Sequence, residues 1–440
     1  MTRQKDPIYA HPVEILQQLI RFDTTNPPGN ELECIRYIQG LLNDAGIRSI
    51  IHGKTKERAN LVARIKGQGK AAPLLLYGHV DVVTTANQKW SQPPFAGNIV
   101  DDVIWGRGAL DMKSGVAMFL SAVLKAKAEN TPLPGDVIFC ALADEENGGD
   151  FGARFMAAEH PELFEGVKYA FGEFGGFNIN LSGKRVYPIM IAEKQVCWLK
   201  LTFHGKGGHG SMPVHGQAMA RLARALKILD EKQLPYHLTP AVQIMIDAMA
   251  AVAGGAAGMV LGQLKNSLAA DRIIKTLGTN AAIFGPLLHN TVSPTIVNAS
   301  EKINVIPAEV ALQVDGRMVP GMKPEDLQKE LHSLLGDDVE MSVQMFNPGP
   351  AEPILDLMDT LQTTLRELDP TGTAIPFVIA GATDARFFSD LGIQTYGFTP
   401  LKLPDDFSFM GIIHSADERV PVDAVSFGAE AVFSAIQKGR

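Results

Sequence analysis

The chain has 440 residues, too many for one ordinary domain, so two domains are expected. Hydrophobic residues make up 46% and charged residues 20%, which excludes a disordered chain, and a net charge of -8 argues against a nucleic-acid surface as its main business. Cys34, Cys140 and Cys197 show no paired spacing, which supports neither a disulfide framework nor a thiolate zinc site.

The first residues, Met1 to Pro7, lack the apolar run and small-residue cleavage site of a leader peptide, so a reducing, cytoplasmic setting is expected. Helical spacing over Val13 to Arg21 is followed by a turn-rich loop, Asp23 to Asn30, and a second helix from Glu31 to Ala45. Strands are expected at Ile47 to Ile51 and Asn60 to Ile65. The apolar run Leu74-Leu75-Leu76-Tyr77 then delivers His79, as a buried parallel strand delivers a residue to the carboxyl edge of a sheet. Asp81 follows two residues on. An imidazole that ligates a metal needs an acceptor on its other ring nitrogen, and a nearby carboxylate is the usual partner.

Asp111 opens an apolar helical run, Met112 to Ala128, and Glu145-Glu146 close a second apolar strand, Val137 to Leu142. A helix over Gly152 to Glu159 leads to the strand Tyr169 to Phe171, which ends in Glu173. Each fragment alone has an ordinary reading: a rim histidine, a solvated turn, a capping glutamate. Together they place charge at the ends of several buried elements, which is costly unless that charge is paired or bound to metal. The stretch from Leu74 to Glu146 therefore reads as a metal site.

From about Val196 the texture changes. An alternating strand, Val196 to Phe203, precedes the glycine-rich loop Gly205 to Gly210 and a helix from His215 to Leu229. The loop does not have the spacing of a phosphate-binding P-loop. An Ala- and Gly-rich insertion occupies roughly Pro240 to Leu288; within it Met245 to Leu264 is nearly uncharged, but alanine and glycine carry little transfer energy, so a buried or interface helix is expected rather than a membrane span. One long strand, Asn304 to Arg317, closes this unit. Helices at Pro324 to Leu335 and Pro353 to Leu368, strands at Phe377 to Ile379 and Gln394 to Phe398, and a last helix from Asp423 to Gln437 restore the first texture. The expected architecture is α/β: a catalytic domain with a central, mostly parallel sheet, built from residues 1–194 and 321–440, with an α+β domain, 195–320, inserted in it.

The peptides Gly78-His79-Val80-Asp81, Gly106 to Gly115, Asp144-Glu145-Glu146, Glu173, Gly208-His209-Gly210-Ser211, Asn304 to Glu309 with Arg317, Thr383-Asp384-Ala385-Arg386 and His414 to Glu418 together resemble one family over nearly the whole chain. It is the family of two-zinc aminoacylases, acetylornithine deacetylases, succinyl-diaminopimelate desuccinylases and glutamate carboxypeptidases. The resemblance implies that His79 and Glu173 hold one zinc and Glu146 and His414 the other, with Asp111 bridging and a cis peptide bond from Asp111 to Met112. It implies further that Asp81 orients His79, that Glu145 is the general base, that His209 polarises the scissile carbonyl, and that Asn304 and Arg317 bind the substrate's carboxylate. In relatives the inserted domain is a lid that also makes a homodimer. Ligands of this type suit zinc, with cobalt or manganese possible.

The implied activity is hydrolysis of an N-acyl amino acid or small peptide beside its free carboxylate. The Pro240 to Leu288 insertion resembles the longer carboxypeptidase-like and N-acyl amino acid hydrolase branch, and Ala382-Thr383-Asp384 departs from the Gly-Thr-Ser-Asp of many members. Hydrolysis of N-carbamoyl amino acids, or an idle dimeric binding paralogue, are the alternatives.

Overall fold

The computed structural model describes residues 7–278, 283–350 and 352–438. Residues 1–6 of the N-terminal stretch read above, and 279–282 of the insertion, lie outside them. The chain divides into two compact units. The first holds the described residues up to Ile191, then Ile354–Phe377 and those from Thr383 onward; the second holds Ala192–Pro353 and Val378–Ala382.

The first unit is built on a sheet in the order Ser49–Gly53, Ala59–Ile65, Val137–Leu142, Leu74–His79, Tyr169–Gly172, Gln394–Gly397 and Lys184–Glu193, with Thr373–Ile379 beyond. The four central strands, from Val137–Leu142 to Gln394–Gly397, run parallel, and antiparallel pairings flank them. Leu74–His79 and Val137–Leu142 are buried at every position, because helices cover both faces; hence their unbroken apolar runs. One face carries Lys113–Ala128, with Pro12–Ile20 and Val422–Gln437 packed on it. The other packs Leu75, Tyr77, Ile138 and Cys140 against Phe155, Met156, Phe164 and Phe388.

Close approach of helix to strand explains two glycines. A Cβ at Gly78 would lie 2.6 Å from Met112 Cε and 2.9 Å from Val116 Cγ2. At Gly428, in the last helix, it would lie 1.8 Å from Met118 Sδ and 2.3 Å from the Pro400 carbonyl oxygen. Gly428→Ala is therefore expected to cost about 1–3 kcal/mol or more through overpacking, read as a lower denaturant midpoint at unchanged slope.

The second unit has a four-stranded antiparallel sheet, ordered Thr291–Asn298, Glu309–Met318, Gln195–His204 and Glu340–Phe346. Helices Ala218–Glu231 and Pro324–Leu335 close one face, burying Leu222 and Leu327 against Leu199, Leu201 and Leu312. This unit reaches Pro353, past the expected 320, because Glu340–Phe346 hydrogen-bonds to Gln195–His204 and Pro324–Leu335 packs into the same core. The single strand expected from Asn304 to Arg317 is two: Val305–Ile306 pairs with Gly208–His209, and Glu309–Met318 joins the sheet. Pro307 has no N–H to continue a ladder at that point. The described part of the insertion is mostly helical, and Gly254, at φ 65°, breaks Met245 to Leu264 into parts of Pro240–Ala253, Gly255–Gly262 and the short turn of helix Gln263–Lys265. Among the described residues no helix is long and apolar enough to cross a membrane.

Candidate metal centre

In the first unit several element ends converge. His79 is the last residue of its strand, and Glu173 lies one residue beyond Tyr169–Gly172. Glu145 and Glu146 occupy the short turn of helix Glu145–Asn147 after Val137–Leu142. Asp111 lies just ahead of Lys113–Ala128, with a cis bond to Met112, and His414 follows Phe409–Ile412 with φ 59°. The parallel strands all point their carboxyl ends at this place, which is where open α/β sheets hold ligands.

His79 Nε2 lies 3.0 Å from Asp111 Oδ1 and 3.3 Å from Glu173 Oε2. His414 Nε2 lies 3.0 Å from Asp111 Oδ2 and 3.2 Å from Glu146 Oε1. Asp111 thus presents one oxygen to each imidazole. Among the described residues, three groupings are close enough to hold a metal ion: His79, Asp111 and Glu173; Asp111, Glu146 and His414; and His79, Glu145 and Glu146.

The electrostatics fit a cation. Burial and the neighbouring Asp111 push the Glu146 carboxyl up to about 7, with His414 opposing. Burial, then Glu173, push Glu145 well above the carboxylate range. Against the cost of burial, hydrogen bonds from His414 and His79 hold Asp111 well below it, while Asp111 and then Glu146 raise His414 to about 10. Glu146 Oε1 and Glu173 Oε1 are buried without a hydrogen-bond partner among the described residues, the former lying near His414 but off the hydrogen-bond direction. Buried carboxylate oxygens left unsatisfied beside imidazole nitrogens are the arrangement that a divalent cation completes.

Asp81 is placed differently from expectation. His79 Nδ1 is 3.0 Å from the main-chain carbonyl of Asp81 and 3.5 Å from its carboxylate, so the carbonyl is the acceptor that leaves Nε2 free to face the cluster. The carboxylate is occupied elsewhere: Oδ1 accepts the Glu145 N–H at 3.1 Å, and Oδ2 accepts the Glu146 N–H at 3.2 Å and Asn26 Nδ2 at 2.8 Å.

His209, Asn304 and Arg317 belong to the second unit. His209 and Asn304 are exposed neighbours on the short ribbon, where Gly210 N–H donates to the Asn304 carbonyl at 2.8 Å. Arg317, half-buried, donates from Nε and Nη2 to Asp315 at 2.8 and 3.2 Å. Trp198 Nε1 donates to the same carboxylate at 3.0 Å, so Asp315 steadies both. Sequence reasoning also missed the state of Asp384: both its carboxylate oxygens are buried without a hydrogen-bond partner among the described residues, and burial, opposed by Arg386, pushes its carboxyl well up. The motif containing it was visible; its isolation was not.

An α/β sheet carrying such a cluster at its carboxyl edge defines a metallohydrolase. The chain belongs to Peptidase family M20/M25/M40, whose sequence profile matches residues 75–438. It is 29% identical over 376 residues to a probable carboxypeptidase S-like 2 of Dictyostelium discoideum, covering 82% of this chain and 71% of that protein. It is 27% identical over 418 residues to the human N-fatty-acyl-amino acid synthase/hydrolase PM20D1, covering 91% of this chain and 81% of that one. In fold it is similar to the metallo-carboxypeptidase Sso-CP2 of Sulfolobus solfataricus, with a TM-score of 0.68, 16% identity, and 97% and 98% of the two chains covered.

Proposed function

We propose that this protein uses two divalent cations, zinc in the first instance, to hydrolyse the amide bond of an N-acyl amino acid or small peptide that carries a free carboxylate. The observation that carries the reading is the split carboxylate of Asp111, one oxygen toward His79 and the other toward His414. His79 and Glu173 would hold one cation, Glu146 and His414 the other, and Asp111 both. Bound there, the cations would supply Lewis acidity to the amide carbonyl and ease the deprotonation of water.

The chain's own residues do the rest. Glu145 takes the proton of the attacking water and gives it to the departing amine nitrogen, while Asp81 holds the main chain of Glu145 and Glu146 and its carbonyl fixes His79. His209 would donate to the scissile carbonyl, and Asn304 and Arg317 would receive the substrate's carboxylate, Arg317 by the two-pronged contact that lysine cannot make. The second unit is read as a lid and the contact of a homodimer, and a cytoplasmic setting agrees with three free, buried cysteines.

Amine release by zinc-loaded protein from N-fatty-acyl and short N-acyl amino acids, N-carbamoyl amino acids and dipeptides tests the reading. Release from acyl or peptide substrates supports it; release from carbamoyl substrates alone moves the activity to the carbamoyl class; silence across the panel, from protein shown to hold two metals, favours the idle paralogue. Arg317→Ala is expected to raise KM for carboxylate-bearing substrates by the equivalent of about 2 kcal/mol of charged hydrogen bonding. Steady-state kinetics on an acid and its methyl ester check this, and an equal KM change for both removes Arg317 from carboxylate recognition.

A further inference from the structure

We propose that Arg58, distant in sequence from every candidate ligand, is a positioning residue for the metal centre that sets the main chain of Glu145 and Glu146. The proposal rests on the metallohydrolase reading of that cluster. Arg58 immediately precedes the strand Ala59–Ile65 and is buried. Each of its three guanidinium nitrogens has a partner. Nε donates to Glu31 at 2.9 and 3.2 Å, Nη1 to the Pro28 carbonyl at 3.0 Å, and Nη2 to Asp144 Oδ1 at 2.7 Å, while the group lies over the Phe151 ring at 4.8 Å.

Asp144 is the residue before Glu145, held at φ 67°. Its Oδ1 also accepts Asn26 Nδ2 at 2.9 Å, and its Oδ2 accepts the Phe151 N–H at 3.0 Å, so one side chain pins both ends of the loop that carries Glu145 and Glu146. Asn26 Nδ2 reaches Asp81 as well, at 2.8 Å, and Asp81 accepts the N–H groups of Glu145 and Glu146. A continuous path of hydrogen bonds therefore runs from Arg58 through Asp144 and Asn26 to the backbone of the proposed base and of a proposed ligand.

Charge gives the path its dependence on Arg58. Glu31, Asp144 and Asp81 are all 0–1% exposed, and the Arg58 guanidinium contacts the first two directly. Taking it away leaves buried carboxylates uncompensated and the loop free to shift. Lysine would keep the charge and lose the fork. The chain also makes room for the group: a Cβ at Gly29, whose φ is +79°, would lie 2.3 Å from Arg58 Cζ and 2.4 Å from Nε. Catalytic groups tolerate displacement of only about 0.5 Å, so a loosened loop registers at the metal before it registers in overall stability.

The test uses Arg58→Lys and Asn26→Ala in the full chain, the second cutting the path while leaving the guanidinium in place. Zinc-loaded parent and variants are mixed with excess chelating dye and the rate of zinc release is followed without substrate; kcat, KM and the denaturant midpoint are measured separately. Release about 10- to 100-fold faster, with kcat falling over a similar range and KM moving far less, is expected. Release and kcat within about twofold of the parent in both folded variants overturn the proposal, as does a lowered denaturant midpoint as the sole change. Because zinc release needs no substrate, it reads Arg58 even in a parent that hydrolyses nothing, an outcome that would count against the hydrolase reading instead. If Arg58→Lys fails to fold, Asn26→Ala alone decides by the same criteria.

Discussion

Zinc-loaded Glu145→Gln protein is expected to turn over about two to four powers of ten more slowly than the parent, the usual worth of a positioned general acid and base. Glutamine keeps the size and the main-chain hydrogen bond to Asp81, and removes only the proton acceptor. Glu145 is one residue from Glu146, so metal content must be measured alongside the rate; the expected variant holds as much metal as the parent and has a nearly unchanged KM. Such a pattern marks a group that acts in the transition state and not in binding. A kcat within about tenfold of the parent would place the proton transfer on another residue.

Asp111→Ala is expected to have the second large effect, on metal rather than on chemistry. The parent's Asp111 faces both imidazoles at 3.0 Å, so its loss weakens both candidate positions together. Even partners that only touch metal ligands are worth about 10- to 100-fold in affinity, so a shared ligand should cost at least that much. Adding zinc to about a hundred times its dissociation constant should stabilise metal-free parent by about 2.7 kcal/mol for each position filled; the same zinc concentration should stabilise Asp111→Ala far less. Thermal unfolding with and without zinc checks this. Equal stabilisation of parent and variant would mean that zinc is held elsewhere.

Much of this site was legible because its residues end buried elements. The unbroken apolar runs of Leu74–His79 and Val137–Leu142 expose the cost of placing His79 and Glu145-Glu146 at their ends, and both strands lie at the centre of the sheet with every residue buried. The family likeness brought in His414, which spacing alone would have left as an ordinary turn residue, and gave Glu173, already visible as a carboxylate at a strand end, its role as a ligand. What stayed hidden depends on contacts between distant segments. Arg58 carries no local pattern and meets Asp144 across 86 positions. The choice of the Asp81 carbonyl over its carboxylate as the partner of His79 turns on half an ångström, 3.0 against 3.5 Å. The strand Lys184–Glu193 contains Pro188 and was not anticipated, although it is buried from Val186 to Glu193. Extension of the second unit to Pro353 follows from a strand pairing that no local periodicity encodes.

The most direct test of metal-dependent hydrolysis is a titration of metal-free protein with zinc, in which amine release from an N-acyl amino acid and zinc bound per chain are measured on the same samples. The expected result is no release without metal and activity that rises with occupancy to a plateau at two zinc ions per chain. Full activity in protein shown to be free of metal, or a plateau reached before any zinc is bound by His79, Asp111, Glu146, Glu173 and His414, would contradict it.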